Sequence, residues 1–251
     1  MRKTSIMAML CLALMGASMK STQAAELKIL AGGALTGVLG DLAPKFERET
    51  GHKLVIQFGA TPDLIKAATS GAPFDLGVAP VDVFQNAEAR ATFAPGPTIN
   101  ITRVGFGVAV KAGAPKPDIG TPEAFKAALL NAKSIAVLPA SAAGAYVTKV
   151  FERLGIAKEM DAKALKQTAP AGVPQAVAKG DAEIGVFLTN VMTAPGVELA
   201  GNFPGDLQQD LVFTAAVAAQ TSNAAAAKAF IDFLQSPASV VTIKAKGMKA
   251  G

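Results

Sequence analysis

Residues 26–64, ELKILAGGALTGVLGDLAPKFERETGHKLVIQFGATPDL, set the strongest limit on what this chain can fold into. A short apolar strand over 27–30 runs into a turn of small residues and then an amphipathic helix. A second strand over 53–58 runs into another small polar turn and another helix. Strand–turn–helix units in tandem predict mostly parallel strands covered by helices. Each turn also presents backbone N–H groups and hydroxyls at a helix N-terminus, where an anion or a polar ligand is stabilised.

The alternation continues along the chain. Residues 74–79 read as a buried strand reached through Gly71-Ala72-Pro73, and 103–110 as one long strand holding Gly105 and Gly107. A Pro/Gly-rich connection leads into a helix over 122–130, with Thr121 as N-cap and Pro122 at the first helical position. Further strands are expected at 134–138, 182–187 and 211–218, and helices at about 145–154, 174–179 and 224–234. The class is α/β.

The start of the chain reads as an export signal. Arg2 and Lys3 precede an apolar run, 6–15, too short to span a bilayer. Thr22-Gln23-Ala24 then fits the cleavage site, with cleavage after Ala25 the neighbouring choice. Cys11, the only cysteine, lies in the apolar run, and Ala8-Met9-Leu10 before it make a poor lipoprotein box. The mature chain is therefore expected to have no disulfide, no thiolate nucleophile and no cysteine-based metal site. Removing residues 1–24 leaves 251 − 24 = 227 residues, in which 24 − 3 = 21 basic side chains face 19 acidic ones. That balance of about +2 gives little reason to expect a nucleic-acid or membrane partner. The length suits one large α/β domain or two lobes of ~100 residues.

Four segments, ILAGGALTGVLGDLAPKFERETG, FGATPDLIKAATSGAPFDLGVA, SAAGAYVTKVFERLGI and AKAFIDFLQSPASVVTIKAKGM, resemble the periplasmic solute-binding proteins of ABC importers, molybdate-binding type. The last is shared by many solute-binding proteins, whereas the first three are closer to the molybdate branch. The resemblance implies a type II binding-protein fold, with two α/β lobes joined by two crossover strands and a ligand between them. Lobe one would take residues 26–104 and 214–251, and lobe two 105–213. The crossovers would be 103–110 and 211–214, and the expected motion is closure of the lobes by hinge bending. Close packing in a strand explains Gly105 and Gly107 equally well.

The same resemblance implies a site built from backbone N–H groups and neutral hydroxyls around a tetrahedral dianion. Its first serine position is occupied by Ala34, with Thr36 two residues on. The second serine is matched by Thr61, although Thr61-Pro62-Asp63 also reads as an ordinary N-cap followed by proline. In lobe two the family's backbone donors match Ala143, with Ser141, Gly144 and Tyr146 beside it, and Val173. The family's tyrosine is replaced by Leu188, followed by Thr189 and Asn190, and that donor is lost unless Thr189 or Asn190 turns inward. Two of three side-chain donors are thus missing. The resemblance implies import of molybdate or a related oxyanion by a monomer working with an ABC permease. A small organic anion is the close competitor, and a periplasmic sensor for a membrane receptor would use the same fold.

Other chemistry finds little support in the residues. His52, the only histidine, is expected in a solvated loop, and nothing has metal-ligand spacing. Asp63, Asp75 and Asp82 could form a carboxylate set, but Asp63 suits a first helical turn. Arg103 fits a salt bridge or a surface position, and Lys244, Lys246 and Lys249 a solvated basic tail. A hydrolase would need a nucleophile beside a base, so no enzyme and no cofactor are expected.

Overall fold

The computed structural model describes residues 24–251. The expected export signal, apart from its final residue, lies outside the described residues. The described chain runs β1 (Glu26–Gly32), α1 (Thr36–Thr50), β2 (Lys53–Gly59), α2 (Thr61–Thr69), β3 (Leu76–Pro80), α3 (Val81–Gln85), α4 (Ala87–Arg90) and β4 (Ile99–Val104). It continues with β5 (Phe106–Lys111), α5 (Pro122–Asn131), β6 (Ile135–Val137), α6 (Ala142–Arg153), α7 (Ala157–Ala162), β7 (Ala164–Lys166), α8 (Gly172–Lys179) and β8 (Ile184–Leu188). The last elements are β9 (Val197–Asn202), β10 (Leu211–Val217), α9 (Ala224–Gln235), α10 (Pro237–Ala245) and β11 (Lys249–Ala250).

These strands form two sheets, ordered β11-β4-β10-β3-β1-β2 and β7-β6-β8-β5-β9. This is the two-lobed α/β fold expected from the sequence. The parallel pairs centre on β1 in the first sheet and on β6 in the second. The antiparallel pairs are made by β10 and β5, the strands that follow the chain's passages between sheets, and by β11 with β4, so five of the nine strand pairs are antiparallel and the expectation of mostly parallel strands is corrected. Strand β10 belongs to the first sheet from Leu211 onward, where Leu211 pairs with Val104.

The long strand expected over 103–110 is in fact two strands in different sheets, broken at Gly105. The cause is Gln208, in the return passage. Its Oε1 accepts from Phe106 N–H and its Nε2 donates to Phe106 C=O, both at 2.9 Å. A carboxamide thus bonds Phe106 as a neighbouring strand would. A Cβ on Gly105 would stand 3.0 Å from that carboxamide, so the glycine is there for close approach.

Helix α1 buries Val38, Leu39, Leu42 and Phe46, spaced to form one apolar stripe, and Gly51 ends it in a left-handed conformation. Phe46 meets Phe230 of α9 edge-on at 4.9 Å between ring centroids. It also stacks on His52, which corrects the expectation of a solvated histidine. His52 is buried, and its Nδ1 accepts from Ala25 N–H at 3.0 Å. The aromatic neighbour and this backbone donor account for its position.

Asp75 is also buried. Its Oδ2 accepts from Lys28 N–H at 2.7 Å, and its Oδ1 accepts from the Thr221 hydroxyl and from Asn223 Nδ2. It ties β1 to the segment leading into α9, away from the sheet ends that face the second lobe. Arg103 pairs with Asp210 at 3.8 Å and Lys249 reaches the same carboxylate at 2.9 Å. Two of the three C-terminal lysines are therefore tied down, since Lys246 pairs with Asp41.

Candidate functional site

Strand β1 ends at Gly32 and a 3-10 turn, Gly33–Leu35, leads into α1. A Cβ on Gly32 would come within 2.7 Å of the Phe213 ring, so only a residue without one lets β10 pack here. Strand β2 leads into α2 through Ala60, which occupies the cap position, and Asp63 Oδ2 accepts from Ala60 N–H at 3.3 Å. The N-cap reading of Thr61 is thereby corrected. As the first residue of α2, Thr61 has its hydroxyl free for another use.

That use lies across the cleft. Thr61 Oγ1 accepts from Ala142 N–H, at the start of α6, at 2.9 Å. Ser141 caps the same helix, accepting from Gly144 N–H and donating to Leu138 C=O, each at 2.9 Å. Ala143 N–H, also in the first turn, has no partner inside the helix. A second bond joins the lobes where Asn190 Nδ2 donates to Ala34 C=O at 2.8 Å. The accepting carbonyl sets the carboxamide orientation. Asn190 Oδ1 is then left buried without a partner among the described residues.

Between these bonds lies a cavity of ≈ 20 Å³, room for about one water. It brings together Ala34, Thr61, Ser141, Ala143 and Leu188 of the expected site, and Pro170, Phe187, Leu211 and Phe213 complete the wall. No charged side chain lines it. The Thr61 hydroxyl, fixed through its oxygen by Ala142, has its hydrogen unassigned among the described residues. Ala34 and Leu188 contribute only methyl and isobutyl groups, so their side chains supply no donor.

Three expected residues stand elsewhere. Thr36 donates its hydroxyl to Gly33 C=O at 2.7 Å and lines a neighbouring groove instead. Val173 is fully buried on α8, and its N–H is bonded to Pro170 C=O at 3.2 Å. Tyr146 donates to Leu207 C=O at 2.8 Å and packs on Phe106, which turns it to the return passage and away from the cavity. Asn190, named from the sequence as a residue that could turn inward, does so as a donor to Ala34 C=O, whereas Pro170, Leu211 and Phe213 were missed as wall residues. Asn190 and Ala34 are 156 residues apart, and no local pattern marks such a pair.

Replacing Thr61 with valine keeps the shape and removes one hydroxyl. We expect at least a tenfold loss of ligand affinity in titration calorimetry, since a hydrogen bond to a charged ligand contributes about 1.5–3 kcal/mol. Thr61→Ser should restore most of it. Wild-type affinity in Thr61→Val would remove this hydroxyl from the site.

Residues 27–249 match the family described as bacterial extracellular solute-binding protein. The chain belongs to that family. Among relatives, it is 30% identical to an aconitate isomerase from Pseudomonas sp, over 89% of this chain and 87% of that one. It is 28% identical to the molybdate-binding protein ModA of Azotobacter vinelandii, over 90% and 91% of the two chains. A solved structure of the Azotobacter vinelandii periplasmic molybdate-binding protein superimposes with a TM-score of 0.75 at 21% identity, covering 90% of this chain and 99% of that one. At that identity the structural likeness establishes the fold. The cavity between the lobes lies where helices α2 and α6 begin.

Proposed function

We propose that this protein is the periplasmic binding component of an ABC importer and carries a small anion held in the cleft between its lobes. The observation that carries the reading is that the first turns of α2 and α6 meet across the cleft around a threonine hydroxyl and no charged side chain; the ≈ 20 Å³ left between them admits about one water, so an anion enters with the lobes standing further apart than here. Backbone N–H groups at helix starts stabilise an anion without burying a counter-charge. A molybdate-like oxyanion is the first candidate, supported by the ModA relatives at 28% and 25% identity. Export through residues 1–24 and action as a monomer belong to this reading. Its hinge falls at Gly105 and in the return passage before Leu211, close to lobes of 26–104 with 214–251 and 105–213.

An organic anion is the second reading, favoured by Ala34 and Leu188 on the cavity wall. Two donors fewer would weaken a tetrahedral dianion by roughly two to four factors of ten. The aconitate isomerase relative raises turnover as a possibility for this chain. Proton transfer at carbon needs a positioned base, and the cavity wall carries no titratable side chain. Binding without turnover is the reading we adopt, and recovery of the ligand unchanged after incubation would support it.

A thermal-shift series on the mature protein tests the anion reading with molybdate, tungstate, sulfate, phosphate and small carboxylates. A ligand at ~100 times its dissociation constant adds about 2.7 kcal/mol. For a chain of this size that raises Tm by roughly 5–11 °C. Silence towards every anion, with a response to a neutral solute, would overturn it.

A further inference from the structure

Beside the small cavity runs a groove of ≈ 620 Å³, which shares Gly33, Ala34 and Pro170 with it. One bank is the start of α1 and the turn after α10, and the other is α8 with the segment after β8. Both lobes therefore contribute to it. We propose that the anion carried in the cleft is an organic polycarboxylate, with one carboxylate on the cavity donors and another reaching Lys246 and Lys179 in the groove. This rests on the cleft being an anion site, and it adds the ligand's size and second charge.

Several features of the groove point the same way. Two of its lining side chains, Lys179 and Lys246, are cationic, and no acidic side chain lines it. Lys246 is half-buried and held by Asp41 at 2.9 Å, with its stem passing within 4.0 Å of where a Cβ on Gly37 would stand. Lys179 makes no ion pair among the described residues. The first turn of α1 carries no acidic residue, so its positive end is uncompensated on the groove side. Between the charges the wall is apolar, with Pro174, Val191 and Pro195 presenting surface for a carbon skeleton. A tetrahedral oxyanion seated in the cavity would leave the groove and both lysines unused. A simple monocarboxylate would do the same.

Titration calorimetry of the mature protein with citrate, tricarballylate, acetate and molybdate tests this. The two tricarboxylates should bind at least tenfold tighter than acetate. The double variant Lys179→Ala/Lys246→Ala should lose most of that advantage while acetate binding stays as in wild type. Lys244→Ala, which removes a neighbouring charge outside the groove, should change nothing. Molybdate binding with no tricarboxylate binding would overturn the proposal and leave the anion-carrier reading intact. An unchanged tricarboxylate advantage in the double variant would overturn the assignment to these lysines. Silence towards all four anions would overturn both readings together.

Discussion

Gly144→Ala is expected to cost about 3 kcal/mol, although alanine is the better helix former by about 1 kcal/mol. A Cβ at Gly144 would run into the carbonyl of Leu138 and crowd Pro139, both backbone, which has no rotamer to yield. The first turn of α6 would have to withdraw from the end of β6. Gly144 N–H would then lose Ser141 as its acceptor. Ala142 and Ala143, the adjacent positions, would move with it out of the cleft. Thermal unfolding should show Tm lowered by roughly 6–12 °C. Ligand binding should weaken in the same variant. A Tm equal to or above that of wild type would mean that helix propensity had won and that the close approach to Leu138 is not real.

Asp75→Ala should be nearly as costly, at about 3 kcal/mol, by a different route. Its carboxylate serves three donors, from β1, Thr221 and Asn223. Hydrogen bonds to an ionised acceptor are worth about 1.5–3 kcal/mol each. Their sum is an upper bound, because a groove of ≈ 670 Å³ beside Asp75 lets water reach some of the abandoned donors. Denaturant unfolding should show the lower midpoint, while affinity for the cleft ligand should hold, since this network lies outside the cavity wall. A loss of affinity with unchanged stability would reverse that assignment.

The two sheets and their covering helices were legible because they rest on local signals. Apolar periodicity marked β1, α1 and α9, and Thr121-Pro122 marked the start of α5, where Thr121 accepts from Ala124 N–H. What escaped depends on residues distant in sequence. The break at Gly105 needs Gln208, 102 residues away from Phe106. The burial of His52 needs Phe46 on one side and Ala25 N–H on another. The role of Thr61 was misread because its Thr-Pro-Asp neighbourhood suits a cap, whereas Ala60 takes the cap position and Ala142 takes the hydroxyl. Positions Ala34, Ala143 and Leu188, which the resemblance implied, did meet at one cavity, because each lies at or beside an end of a regular element that faces the other sheet. Tyr146 did not, because helical spacing says which face a residue is on and not which neighbouring segment will claim it.

Tyr146 has a practical consequence of another kind. The chain has no tryptophan and a single tyrosine, so beyond the weak signal of its phenylalanines its intrinsic emission comes from one ring. That ring lies against Phe106, just past the first passage between sheets, and its hydroxyl is bonded to Leu207 in the second. Burial pushes the phenol pKa up, against the pull of Arg153. The chain thus carries a native, unlabelled optical reporter beside both passages between its sheets, with which the proposed closure of the lobes can be tested in stopped flow.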